Sequence, residues 1–309
     1  MTSSIKPANF VHQIDNPYYP LKPGTTLIYK SPDGSEVVRT AVTHQTKEIL
    51  GVSCVVVLDK SYINGKLAER TLDYFAQDKH GNVWYFGEAA KNFHNGHFLN
   101  TDGSWLAGVN GAQPGIIMEG SPNVGDRYNQ ENAAGIAEDR AKIINLEATK
   151  NVPFATFQHL LVTAETTPLE PGFLERKYYA PGIGQVLAID LTTGDQEQLV
   201  KIIHHSPAAH AHNARIASDA SHARHGEAHS APPSQVAADS FDFSGLTTAV
   251  ARSHAANLAH HDRGHATLEH NGLDHDSGVD GLHGGTEDPG SAHAHSLESF
   301  LGHSQLFDL

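Results

Sequence analysis

Val52-Ser53-Cys54-Val55-Val56-Val57-Leu58-Asp59-Lys60-Ser61-Tyr62-Ile63, then Asn64-Gly65, then Lys66-Leu67-Ala68-Glu69-Arg70-Thr71-Leu72-Asp73-Tyr74-Phe75-Ala76-Gln77 is the stretch whose reading decides the fold. Asn-Gly readily takes the positive φ values of a two-residue hairpin turn. The flanking runs, rich in Val, Tyr, Phe and Thr, suit a pleated and half-buried surface. The pattern predicts antiparallel strands over 52–63 and 67–77. Working outward, Pro32-Asp33-Gly34 separates predicted strands at 26–30 and 36–46, and Asp78-Lys79-His80-Gly81 precedes another at 82–86. Each turn supplies residues that fix or tolerate a chain reversal. Partial alternation along Glu36-Val37-Val38-Arg39-Thr40-Ala41-Val42-Thr43 fits a sheet with one wet face, so 20–88 reads as an antiparallel meander.

The layout returns about a hundred residues later. Leu21-Lys22-Pro23-Gly24 followed by Tyr29 is echoed by Pro122-Asn123-Val124-Gly125 followed by Tyr128, and Thr46-Lys47 by Thr149-Lys150. Glu69-Arg70 answers to Glu175-Arg176, Tyr74-Phe75-Ala76 to Tyr178-Tyr179-Ala180, Gly81 to Gly184 and Val83 to Val186. The expectation is a mainly β body, 1–203, made of two related antiparallel meander halves (about 20–88 and 121–203) that form a curved sheet, a sandwich or a partly open barrel. Between them, 88–120 is rich in Gly and Asn and reads as a long loop region covering a groove. Residues 137–146 suit either a helix, with Ile136, Ala137, Arg140, Ala141 and Ile144 on a 3.6 period, or a strand opened by Ile143, Ile144 and Leu146; strand is preferred.

After Ile203 the composition changes. The last lysine is Lys201, no Trp or Tyr follows it, and 17 of the 23 histidines lie beyond it. A segment with so few large apolar residues buries too little to offset its ordering entropy, so 204–309 is expected to be a disordered low-complexity tail. At its end Leu297, Phe300, Leu301, Leu306 and Phe307 suit one apolar face. The formal charge of −14 argues against a nucleic-acid partner, which demands basic patches. Histidine titration near about pH 6.5 makes that charge conditional. Protonating all 23 histidines carries the formal sum from −14 to +9.

Cys54, the only cysteine, sits in an apolar strand pattern and reads as an inert core thiol. The first residues hold no apolar run of the signal-peptide kind, and no stretch approaches a membrane span. The acidic lysine-free tail and its apolar end suit export by a C-terminal signal of the type I kind. Cytoplasmic residence is the alternative.

Several strings carry a family resemblance: Asn16-Pro17-Tyr18-Tyr19-Pro20-Leu21-Lys22-Pro23-Gly24-Thr25-Thr26, the run from Tyr74 to Glu88, Gly103-Ser104-Trp105, Pro114-Gly115-Ile116-Ile117-Met118, and Glu175-Arg176-Lys177-Tyr178-Tyr179-Ala180-Pro181-Gly182-Ile183-Gly184. Residues 10–203 resemble a bacterial family of uncharacterised β-rich proteins. The resemblance implies a β-rich fold and brings no activity with it.

No HExxH, CxxC, Walker loop, G-x-S-x-G or Gly-rich dinucleotide turn occurs. A cleft between two β-halves can bring Asp73, Glu88 and Glu138 within general acid/base reach, with at most one of Glu138 and Asp139 entering because successive strand residues face opposite ways. Most acids, including Glu175 beside Lys177, read as surface charges and cross-strand ion pairs. Trp105, Tyr85 and Tyr179 are candidates to stack on a ligand, Trp105 foremost because of its Gly-rich surroundings. His94 and His97 flank an Asn-Gly turn and can hold a metal with Glu88 or Asp102. In the tail, His260, His261 and His265 have spacing that suits Zn, Ni or Cu. The reading is a noncatalytic binding protein for a small molecule or a polysaccharide-like ligand. A carboxylate-dependent hydrolase or lyase acting on an extracellular polymer or small ester, and metal sequestration by the tail, are the alternatives.

Overall fold

The computed structural model describes residues 5–205, which form sixteen β-strands and one short 3-10 turn, Pro7–Asn9. The tail reading, with His260, His261 and His265, lies outside the described residues. After β1 (Phe10–Val11) comes a meander of β2 (Thr25–Lys30), β3 (Glu36–Ile49), β4 (Val52–Ile63), β5 (Lys66–Asp78) and β6 (Val83–His94). The β4–β5 turn is the Asn64-Gly65 pair, with φ of 50° and 78°. Short strands follow: β7 (His97–Asn100), β8 (Trp105–Leu106), β9 (Gln113–Met118), β10 (Arg127–Asn129) and β11 (Glu131–Asn132). A second meander closes the body with β12 (Arg140–Asn151), β13 (Thr156–Thr166), β14 (Glu175–Ala180), β15 (Gly184–Asp190) and β16 (Gln196–His204).

All pairings are antiparallel, and the strands follow the order β10-β12-β13-β14-β15-β16-β2-β3-β4-β5-β6-β9-β11. The two ends of this sheet belong to one segment. β10 pairs with β12 and β11 pairs with β9, with Gln130 alone between them. The Gln130 N–H donates to the Asp139 carbonyl at 2.8 Å. The sheet therefore returns on itself as a nearly closed barrel, which leaves few unpaired edge groups. At this seam β9 approaches so closely that a Cβ on Gly115 would stand 2.1 Å from the Gln130 carbonyl oxygen.

One expectation changes. The segment 88–120 is not a loop over a groove: β6 runs on to His94, and β7, β8 and β9 each pair with a different length of it. A strand that outruns its neighbour leaves backbone groups to be satisfied, and the short Gly-punctuated pieces satisfy them. The strand preferred for 137–146 is present as β12, which begins at Arg140. Corresponding contacts recur in the two meanders. Gly24 N–H donates to Val42 O and Gly125 N–H to Ile143 O, both at 2.8 Å. The Lys47 ammonium lies 4.8 Å from the centre of the Tyr74 ring, and that of Lys150 lies 4.9 Å from Tyr178.

Apolar packing divides into two clusters, one around Val57, Phe75, Phe86 and Met118 and the other around Leu160, Val162, Val186 and Leu199. Cys54 is fully buried in the first, and burial pushes its thiol up to about 12. Among the described residues no helix is long and apolar enough to cross a membrane.

Candidate functional site

The face of the sheet that lines the barrel interior is polar. Period-two alternation points Val57, Asp59 and Ser61 of β4 inward, with Glu69, Thr71 and Asp73 of β5. On the other side β14 contributes Glu175, Lys177 and Tyr179, and β13 contributes Glu165. These residues surround a cavity of about 180 Å³.

Tyr85 and Glu88 of β6 both line this cavity although three residues separate them, a spacing that in regular strand faces opposite sides. A bulge resolves the conflict: Asp73 pairs with Glu88 and Phe75 with Tyr85, so Phe86 and Gly87 together oppose Tyr74. Gly87 has a φ of 133°, and a Cβ there would meet the Trp105 carbonyl oxygen at 2.4 Å. Glycine is required at this position.

Three carboxylate groups result. In the first, the Tyr85 hydroxyl donates to Asp73 Oδ1 at 2.8 Å and to Glu88 Oε2 at 3.1 Å, while the ring stacks on Phe75 at 4.6 Å. In the second, Lys177 Nζ lies 2.9 Å from Glu165 Oε2 and 3.2 Å from Glu175 Oε2. Thr163 and Tyr179 hydroxyls donate to Glu165 Oε1 at 2.7 and 3.3 Å. Burial works to lower the Lys177 pKa, but Glu165 and Glu175 outweigh it and hold the ammonium well above its ordinary range. Burial also raises Glu175. The third group gathers Asp59 of β4, which accepts from Thr40 at 2.8 Å, and Glu197 of β16. Burial, reinforced by Glu36, Glu175 and Asp59, drives the Glu197 carboxyl well up. Tyr29, beside it, donates to the Gln185 carbonyl at 2.9 Å, and its pKa is raised by burial and by Glu197.

At the seam, Gln130 also lines the cavity and is 2% exposed, yet among the described residues neither its amide oxygen nor its amide nitrogen has a hydrogen-bond partner. A buried primary amide in this position is uncommon. One wall is the Asn16-Pro17-Tyr18-Tyr19-Pro20-Leu21 segment. Asn16 Nδ2 donates to the Gly81 carbonyl of the β5–β6 turn, and Pro17 O accepts from Gly182 of the β14–β15 turn. Tyr19, Pro20 and Leu21 then face the cavity.

Of the carboxylates expected to act together, Asp73 and Glu88 meet at Tyr85. Glu138 does not join them: its Oε1 accepts the Gly135 N–H, and Asp139 is the neighbour that lines the cavity. Tyr85 and Tyr179 line the cavity, whereas Trp105 is 1% exposed and stands behind Tyr85, edge-on at 5.4 Å. His94 and His97 face each other at the exposed β6–β7 hairpin while Glu88 is turned to the interior. Among the described residues no group of three or more His, Cys, Asp or Glu side chains is arranged to hold a metal. The Glu175–Lys177 ion pair, expected on the surface, faces the interior and lies along one strand. Sequence reasoning passed over Asp59, Glu69, Gln130, Glu165 and Glu197. The one available signal was the polar alternation at Glu69, Thr71 and Asp73 and at Glu175 and Lys177.

No protein-family model matches the chain, and no curated protein matches it. Two solved structures are similar to it. A Bacteroides fragilis protein described as exported, with a YmcC-like fold, is 16% identical over 60% of this chain and 98% of that one, with a TM-score of 0.36. A Parabacteroides distasonis protein described as a lipoprotein is 11% identical over 60% of this chain and 98% of that one, with a TM-score of 0.33.

Proposed function

We propose that this chain is a noncatalytic binding protein that holds a small polar molecule inside its barrel. The observation that carries the reading is the buried Gln130 amide, unmatched among the described residues, on the wall of a polar cavity. A barrel interior meant only for stability would be filled with apolar side chains, and buried polar groups would be matched. The recurrence of the Gly24–Val42 bond as Gly125–Ile143, and of Lys47 over Tyr74 as Lys150 over Tyr178, supports two related halves whose junction encloses the ligand.

Native mass spectrometry of protein purified without denaturation tests this. A small-molecule adduct is expected, lost on unfolding and absent from Ala137→Phe, which places a ring in the cavity without removing a polar partner. An adduct retained in that variant, or no adduct at all, refutes the reading. A second reading, hydrolase or lyase chemistry, is favoured only by the meeting of Asp73 and Glu88 at one hydroxyl. Hydrolysis of a model ester or polysaccharide that disappears in Glu88→Gln would establish it. Export through the C-terminal end is part of the proposal, supported by the composition of the tail. Deleting residues 290–309 is expected to retain the protein in cells, and an unchanged distribution between cells and medium would end the idea.

A further inference from the structure

We infer that the molecule held in the cavity is a cyclic polyol the size of a single sugar ring, uncharged and bound through neighbouring hydroxyl groups. The inference rests on the binding reading above and names its ligand. It starts from Gln130, 2% exposed on the cavity wall, whose amide oxygen and nitrogen both lack hydrogen-bond partners among the described residues. Two residues earlier the Tyr128 hydroxyl is also buried without a partner among them, within electrostatic reach of the interior Glu165 and Lys177.

The amide decides the charge of the ligand. A primary amide sets an acceptor beside a donor, and a simple ion meets only half of it. An ammonium donates to the oxygen and leaves the nitrogen; a carboxylate accepts from the nitrogen and leaves the oxygen. Hydroxyls on adjacent carbons meet both, one donating to Oε1 while its neighbour accepts from Nε2. The charged groups of the wall make no contrary demand, because they are engaged with one another or with nearby hydroxyls. Lys177 lies between Glu165 and Glu175, Asp73 and Glu88 accept from Tyr85, Asp59 accepts from Thr40 and Glu69 from Thr71. Glu131 and Asp139 have interactions of their own, and burial drives Glu197 toward its uncharged form. A charged ligand would give up its hydration here against groups already satisfied within the protein.

Polarity on the strands away from the seam separates a polyol from a ring with one amide edge, such as a lactam or a pyrimidine, which also matches Gln130. Thr40 of β3, Ser61 of β4 and Thr71 of β5 line the cavity, and each donates its proton to a carboxyl, that of Asp59, Glu36 and Glu69 respectively. Their oxygens keep lone pairs as acceptors. A ring with hydroxyls around its whole rim supplies donors to these strands and to the seam at once, whereas a lactam presents carbon to one of them. Leu27, Val57, Phe75 and Ile117 also line the cavity and suit the C–H faces of such a ring. Size agrees. A cavity of roughly 150 Å³ takes one six-membered ring such as benzene. The interior here, about 180 Å³, suits one ring with its hydroxyls.

The test uses full-length protein and the adduct it carries in native mass spectrometry. Released in urea, the adduct is expected to pass both cation- and anion-exchange resin at pH 7 and to be cleaved by periodate, which cuts between neighbouring hydroxyls. A gain in mass on borohydride reduction then marks a free sugar and no gain a cyclitol or a glycoside; both support the inference. Gln130→Met keeps the length of the side chain without its amide and is expected to lower occupancy by the adduct at least about tenfold. Thermal melts monitored by circular dichroism verify its folding, and if it does not fold the chemistry of the released molecule decides alone. An adduct that either resin retains, that resists periodate, or that keeps its occupancy in folded Gln130→Met overturns the cyclic polyol and leaves the binding protein. No adduct in the wild type means that water alone fills the cavity and overturns both.

Discussion

Glu36→Gln is the substitution that best probes the interior electrostatics. Glu36 opens β3, where Ser61 Oγ lies 3.4 Å from its Oε1. Burial pushes its carboxyl from 4.5 up to about 7, against the Ser61 hydrogen bond, with Asp195, Glu69 and Asp33 reinforcing the rise. Glu197, itself driven up partly by Glu36, also faces it. The native state therefore keeps a proton that the unfolded chain releases. The stability this group contributes is fully present below 4.5 and is lost as pH rises through about 7. At about 1.4 kcal/mol per tenfold change in proton activity, the full interval corresponds to about 3 kcal/mol. Glu36 is only partly buried, so about 1–3 kcal/mol is the expected range. Urea denaturation of full-length wild type and Glu36→Gln at pH 5 and pH 8 measures it. Going from pH 5 to pH 8, wild type should lose about 1–3 kcal/mol more than the variant, because Gln cannot titrate. Histidine contributions from the tail are common to both and cancel in the difference. Identical pH dependence in the two proteins, within about 0.5 kcal/mol, would refute the buried-carboxyl account.

Other outcomes follow from packing at named positions. Gly115→Ala would force a Cβ against the Gln130 backbone, so it should destabilise by about 3 kcal/mol or more and raise amide exchange along β9 and β11. Unaltered exchange at that seam would show that the barrel does not close there. Cys54, buried and with its thiol pushed up to about 12, should resist iodoacetamide at pH 8 in the folded protein and react in urea. Rapid labelling of the native state would contradict its placement. Trp105→Ala removes a ring that is 1% exposed and should lower stability by about 3–5 kcal/mol in the same denaturation assay. A loss below about 1 kcal/mol would place the ring outside the core.

The meander of β2 to β5 was legible because its turns carry their own chemistry: Asn64-Gly65 and Pro32-Asp33-Gly34 specify reversals locally. The continuation of β6 past Phe86 was not, since Gly87-Glu88 reads as a strand end. It is a bulge at which a Cβ on residue 87 would meet Trp105 O and Leu106 Cα, atoms of a separate strand that the local sequence does not show. Trp105, expected near a ligand from its Gly-rich setting, is drawn behind the cavity-lining Tyr85 by the pairing of β8 with β6.

By itself, the sequence determined that the body is antiparallel β, that a histidine-rich tail begins after Ile203, and which residues alternate on each strand. Glu69, Thr71 and Asp73 share one face by period two alone. Tertiary structure decided what that face meets. An acidic face facing solvent and an acidic face lining a barrel have the same local pattern, and they differ only in whether the sheet closes. Closure depends on the segment 127–132, which pairs through β10 with β12 and through β11 with β9, strands too short to announce themselves. Once it forms, a pattern of surface charges lines an interior, and removal from water shifts the protonation of its acids.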